Sequence, residues 1–300
     1  MLRLRLITGT GLIALLVAVV WLDAMPFSSP FTEAAWSNAV GEGGVPPRGL
    51  VLVGFTILVV ATLLGREIGV LLRGCGGRTP SWIVAIGTAL VAAATLLASL
   101  VPAGPGAALL TPLAIVATVV ASLAATLRPE RLESAIASAA GVALGTAYAG
   151  TCLGGWMILR QEHAAWILGG AVLTAKSCDI GAYFTGLSFG RRKLVPWLSP
   201  KKTWEGLLGG LCTSTLVGWG LATWSHSLAD PADHVAPLLG AVLGGLLGAM
   251  GQAGDLAESL LKRVAGAKDS GGTLPGLGGI FDVMDSLLPA GLLLPLVLSR

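Results

Sequence analysis

Apolar runs of bilayer-spanning length alternate with short polar stretches along the whole chain, at about 6–25, 49–72, 81–101, 108–127, 134–159, 163–186, 204–224, 235–253 and 279–298. Backbone inside lipid has no water to bond, so each run predicts a helix. The pattern therefore predicts an all-α, polytopic integral membrane protein with about nine transmembrane helices. Gly41 to Pro47 is rich in glycine and proline and reads as loop. There is no internal repeat. The first run follows Arg3 and Arg5, as a signal peptide would. It is long enough to span and lacks a small-x-small cleavage site, so a retained helix is expected.

Lys and Arg orient the helices. With the N-terminus inside, the inside loops carry Arg3, Arg5, Arg73, Arg78, Arg128, Arg131, Arg191, Arg192, Lys193, Lys201, Lys202, Lys262, Arg263 and Lys268, fourteen of the 19 basic residues. Arg48, Arg160 and Arg300 fall outside, and Arg66 and Lys176 fall within spans. One helix more or fewer would scramble this alternation. The expected location is a cell inner membrane or plasma membrane, with the N-terminus cytoplasmic. Residues 1–160 form an N-terminal region of five spans. Residues 161–300 form a C-terminal catalytic region with two unusual inside loops, 187–203 and 254–278, both polar, glycine-rich and basic. Any chemistry is expected there, on the cytoplasmic side.

Composition agrees. Hydrophobic residues make up 54% and charged residues 12%, half the roughly 25% charged of a soluble protein, and mean hydropathy is +0.81. Such a chain must turn apolar side chains toward lipid. A net charge of +3 makes no case for nucleic acid, and no such partner is expected. Cys75, Cys152, Cys178 and Cys212 show no metal-ligand or disulfide spacing and read as small hydrophobes.

Three clusters carry candidate chemistry. In GDLAESLLKR, from Gly254 to Arg263, helical spacing puts Asp255, Glu258, Ser259 and Lys262 on one face and leucines on the other. That pattern also fits a solvated amphipathic helix on the membrane surface, with Gly266 as its stop. The second cluster is Lys268, Asp269 and Ser270, followed by Asp282 and Asp285 at i and i+3 in the first turns of the last span. Carboxylates at that depth are costly unless paired or metal-bound. Helix capping accounts for one, and a hard divalent cation shared with substrate phosphates accounts for both. The third is Lys176 and Asp179 in span six, followed by SPKKTWEG from Ser199 to Gly206. Lys176 and Asp179 also fit an internal ion pair. Ser199, Lys201, Lys202 and Thr203 offer hydroxyls and ammoniums just before a helix start, which favours phosphate. Acids for a metal beside a basic loop suit phosphoryl or nucleotidyl transfer. His163, His226 and His234 fall on the outside, and no GxxxxGKS/T loop occurs.

These stretches, together with Asp179-Ile-Gly-Ala-Tyr183 and Pro275 to Ser286, resemble in order the motifs of phosphatidate cytidylyltransferases, or CDP-diacylglycerol synthases. The likeness covers about residues 170–290; the first half matches only as generic membrane helices. It implies a multi-spanning enzyme of phospholipid synthesis that joins CTP and phosphatidate to give CDP-diacylglycerol and pyrophosphate, as a homodimer in the bilayer. By matching position, Asp255 and Asp282 hold the metal, Mg2+ or alternatively Mn2+, with a monovalent cation such as K+ as a further candidate. Lys268 and Asp269 join them as catalytic residues. Asp179, Ser199, Lys201, Lys202, Thr203, Lys262, Arg263 and Asp285 match positions for the substrates. Two positions depart: Leu277 stands where the family usually has His, and Val283 where it has Arg. The alternatives are a CTP-dependent lipid kinase, a divergent nucleotidyltransferase on another lipid phosphate, and, outside enzymology, a transporter using Lys176 and Asp179 as a buried ion site.

Overall fold

The computed structural model describes residues 2–24, 49–101, 104–127, 132–228, 230–231 and 234–298. The loop expected at Gly41–Pro47, and Arg48, Arg128, Arg131 and Arg300 of the orientation count, lie outside these residues. The fold is helical throughout apart from one short hairpin.

The apolar runs fall on helices, the last of them only in part. In chain order these are α1 (Leu2–Ala24), α2 (Leu50–Gly74), α3 (Ser81–Leu100), α4 (Pro105–Thr126), α5 (Leu132–Glu162), α6 (Ala165–Phe189), α7 (Trp204–Ser225), α8 (Pro237–Val264), α9 (Phe281–Met284) and α10 (Ala290–Leu298). Among the described residues six are long and apolar enough to cross a membrane: α2, α3, α4, residues Glu133–Glu162 of α5, α7 and α8. Their outward faces are apolar, with Leu58, Ile86, Leu113, Leu144, Leu216 and Trp219 exposed. In water such a surface would be a liability; in a bilayer it is the solvated face.

The expected final span is broken. Asp285 Oδ1 accepts from the Ser286 backbone N–H at 2.5 Å, and Pro289 has no N–H to continue a helix. Turns with i to i−3 bonds, such as Ala290 N to Leu287 O, fill the gap between α9 and α10. Both inside loops also differ from expectation. Residues 187–203 hold an antiparallel hairpin, β1 (Lys193–Val195) and β2 (Ser199–Thr203), after α6 runs on to Phe189. Residues 254–264 are the last three turns of α8, because polar residues confined to one face do not stop a helix. Gly266, at φ +66°, follows its end, as the sequence suggested.

Helices α2 to α5 pack as one group and α6 to α8 as another, and α10 docks on α5. The core crosses between them. Leu64, Ile68, Val84, Leu153 and Met157 of the first group bury against Phe281 and Leu288. Trp156 Nε1 donates to Leu287 O at 3.0 Å. Away from the hairpin, Asp23 ties three helices: its Oδ2 meets Arg160 Nε at 2.8 Å and its Oδ1 accepts from Leu52 N at 3.0 Å. Arg160, expected in an outside loop, is therefore buried in an ion pair. All four cysteines are free, with Cys152 and Cys178 buried.

Candidate active site

The C-terminal end of α8 gathers the candidate acids. One helical turn separates Asp255 from Glu258, so both project to the same side. Asp285 joins them from the turn after α9. It can approach because Gly254 has no side chain: a Cβ there would stand 2.2 Å from Asp285 O. One carboxylate oxygen from each of Asp255, Glu258 and Asp285 then lies within 4.8 Å of the others. Glu258 and Asp285 are buried, at 2% and 7% exposure.

Two lysines border the acids. Lys202, from β2, places Nζ 2.8 Å from Asp255 Oδ2. Lys262, one turn beyond Glu258, stands 2.8 Å from Glu258 Oε2 and 2.7 Å from Asp282 Oδ1. Ser259 Oγ donates to Asp255 Oδ1 at 3.3 Å. Glu258 Oε1 is buried with no hydrogen-bond partner. Two ammoniums thus face four carboxylates at low exposure, and one buried oxygen is left over. Clustered like charges of this kind are stable only when a cation or protons neutralise them. Three convergent oxygens and an orphaned buried acceptor fit a hard divalent cation.

The structure differs here from the expected metal pair. Asp282 is not among the three converging acids. Its Oδ2 accepts from Ser270 N at 2.8 Å, Ser270 Oγ at 2.8 Å and Gly279 N at 2.7 Å, and its Oδ1 takes the Lys262 ammonium. With those bonds made, Asp282 organises the loop between α8 and α9 and holds Lys262 against Glu258. The carboxylates beside Asp255 are those of Glu258 and Asp285. The i, i+3 reading of Asp282 and Asp285 assumed one continuous helix, and the break after Met284 sends them to different neighbours.

Asp179, on α6, lies beside the same centre. Its Oδ1 accepts from Gln252 Nε2 at 2.9 Å and its Oδ2 from Ser286 Oγ at 3.4 Å. Lys176 forms the anticipated ion pair with it at 3.7 Å, and also donates to Val283 O at 3.0 Å and Ser286 Oγ at 2.7 Å. Lys176 therefore ties α6 to the segment carrying Asp285, through the carbonyl of one departing position. Leu277, the other, sits half-buried in a turn closed by its N–H on Leu274 O at 3.0 Å.

The hairpin delivers Lys202 and caps α7. Thr203 Oγ1 accepts from Gly206 N at 3.1 Å and is buried, so its hydroxyl serves the helix start. Glu205 accepts from the Arg191 and Arg192 backbone N–H groups and pins the other strand. Ser199 is half-buried, whereas Lys201, Arg263, Lys268 and Asp269 are exposed. His226 follows the far end of α7, whose 22 residues separate its ends by about 33 Å. His163 pairs with Leu298 O at 3.0 Å.

Sequence reasoning gave no role to Glu67 or Gln252 at this centre, took Lys176 only as the ion-pair partner of Asp179, and left Glu258 as one member of a polar face. Glu67 carried a usable signal, since it is the sole acid in α2 and an intramembrane acid demands partners.

Fold and site together define a polytopic helical membrane protein with an acid cluster and flanking lysines of the kind that handles phosphate. Residues 46–299 match the Cytidylyltransferase family, and the chain belongs to it. Among curated proteins it is 37% identical over 128 residues to the phosphatidate cytidylyltransferase of Haemophilus influenzae, covering 43% of this chain and 44% of that one. It is 45% identical over 118 residues to the phosphatidate cytidylyltransferase of Brucella suis, covering 39% and 41%. It is also 40% identical over 150 residues to the uncharacterized protein YnbB of Escherichia coli, covering 45% and 48%. The matched stretch spans under half the length of each of these relatives.

Proposed function

We propose that this protein is a phosphatidate cytidylyltransferase, converting CTP and phosphatidate into CDP-diacylglycerol and pyrophosphate. The observation that carries this reading is the convergence of Asp255, Glu258 and Asp285 between Lys202 and Lys262, in a chain of the Cytidylyltransferase family. A triphosphate brings concentrated negative charge. Lys202, with exposed Lys201, Arg263 and Lys268, meets it with ammonium and guanidinium groups. Asp255, Glu258 and Asp285 would hold Mg2+ or Mn2+, which supplies charge neutralisation on the phosphate oxygens. A monovalent cation such as K+ is a further candidate beside Asp179.

In the transfer, a phosphatidate phosphate oxygen bonds to the α-phosphorus of CTP, and the bond from that phosphorus to the β-phosphate bridging oxygen breaks, releasing pyrophosphate. The attacking phosphate has a second pKa of about 6 and is already anionic at neutral pH. No strong general base is needed, in keeping with the placement of His226 beyond the far end of α7. The acyl chains stay in lipid while the headgroup enters from the side, and the site opens to the cytoplasm of a cell inner or plasma membrane. The working unit is a homodimer.

The direct test is α-labelled CTP with phosphatidate in membranes containing the protein. Label is expected in a CDP-lipid, with one pyrophosphate per turnover. Phosphorylated lipid with free CDP would favour the lipid kinase, and no labelled lipid would contradict nucleotidyl transfer.

A further inference from the structure

Glu67 is buried at 5% exposure on α2, in the half of the chain that resembles the family only as generic membrane helices. No cation pairs with it among the described residues. Donors from a distant segment meet it instead. Oε1 accepts from Thr273 Oγ1 at 2.5 Å and Ile280 N at 3.0 Å, and Oε2 accepts from Phe281 N at 2.9 Å, with Ser270 Oγ 3.0 Å away. The loop is shaped around it: a Cβ at Gly271 would lie 2.7 Å from Glu67 Oε1, and one at Gly279 would lie 2.3 Å from Oε2.

From Glu67 a chain of polar contacts leads to the acid cluster. Ser270 Oγ lies 3.0 Å from Glu67 Oε2 and 2.8 Å from Asp282 Oδ2, its one hydrogen serving either carboxylate, while Ser270 N donates to Asp282 Oδ2 at 2.8 Å. Asp282 holds Lys262, Lys262 holds Glu258 Oε2, and the Glu258 carboxylate converges with those of Asp255 and Asp285. We infer that Glu67 is a positioning residue for the transfer reaction: it clamps residues 270–281 to α2 and thereby fixes the Asp282–Lys262–Glu258 relay that sets the cation-binding acids. The catalytic half of this inference rests on the function proposed above; the clamp itself does not.

Hydrogen–deuterium exchange of the detergent-solubilised protein, wild type against Glu67→Gln, reads the clamp. Glutamine keeps the shape but turns an NH2 toward backbone donors. Exchange at the amides of Ile280 and Phe281 should rise about tenfold or more, with α3 unchanged. In parallel, the Mg2+ concentration for half-maximal CDP-lipid formation should rise about 10- to 100-fold. Loss of folded enzyme lowers the maximal rate without moving that midpoint. Should Glu67→Gln fail to fold, Thr273→Val removes one donor alone and should raise exchange by about two- to tenfold. Unchanged exchange overturns the clamp, and faster exchange with an unmoved midpoint overturns the positioning role. If the wild type forms no CDP-lipid, the proposed reaction falls, and exchange alone decides whether Glu67 holds the loop.

Discussion

Asp285→Asn is expected to lower CDP-diacylglycerol formation at least about a hundredfold while the protein still folds. Asparagine has the volume of aspartate, and its carbonyl oxygen can still accept from Ser286 N as Asp285 Oδ1 does. What it lacks is the charge. In the centre formed with Asp255 and Glu258, Asp285 is 7% exposed, so water screens that charge little. If the three acids hold a hard cation as proposed, removing one charged oxygen weakens that hold. Initial rates across a Mg2+ series measure the effect. Glu133→Gln, an exposed acid in the first turn of α5, is the control and should run at the wild-type rate. A comparable rate in Asp285→Asn would remove Asp285 from the reacting centre.

Lys262→Met carries the largest expected cost to stability. The ammonium sits between Glu258 and Asp282 at 2.8 and 2.7 Å, with side-chain exposures of 14% for Lys262, 1% for Glu258 and 12% for Asp282. Methionine fills the volume but leaves buried Glu258 without its ammonium and Asp282 Oδ1 without its partner. Breaking such a network from one side costs about 3–5 kcal/mol, far more than a solvent-exposed pair contributes. Thermal unfolding in detergent should show that loss. Adding Glu258→Gln to Lys262→Met should recover part of it, because one stranded charge is then gone. A loss under about 1 kcal/mol would mean that the pair behaves as a surface pair, and that Glu258 is not held as described.

The architecture was legible because lipid imposes a coarse rule: long apolar runs had to be helix, and apart from the broken last run the described residues follow it. Where the sequence misled, tertiary contacts decided. GDLAESLLKR looks separable from span eight only when hydropathy is read without regard to face; geometrically it continues α8, and that continuity aims Asp255 and Glu258 inward. The last run looked like one helix, yet Pro289 and the Asp285 side chain break it. That break parts Asp282 from Asp285 and gives them different neighbours. Lys202 and Lys262 were visible as basic residues of inside loops, but their partners depend on how β2 and α9 fold back on α8. Glu67 lies 203 residues before Ser270, its partner, and no local pattern encodes a contact at that range.

The most direct test of the cation centre is anomalous diffraction from crystals of the protein grown with Mn2+. A peak is expected at roughly 2.0–2.3 Å from oxygens of Asp255, Glu258 and Asp285. A peak bound by Asp282 in place of Glu258 and Asp285, or no peak at these three acids under saturating Mn2+, would contradict it.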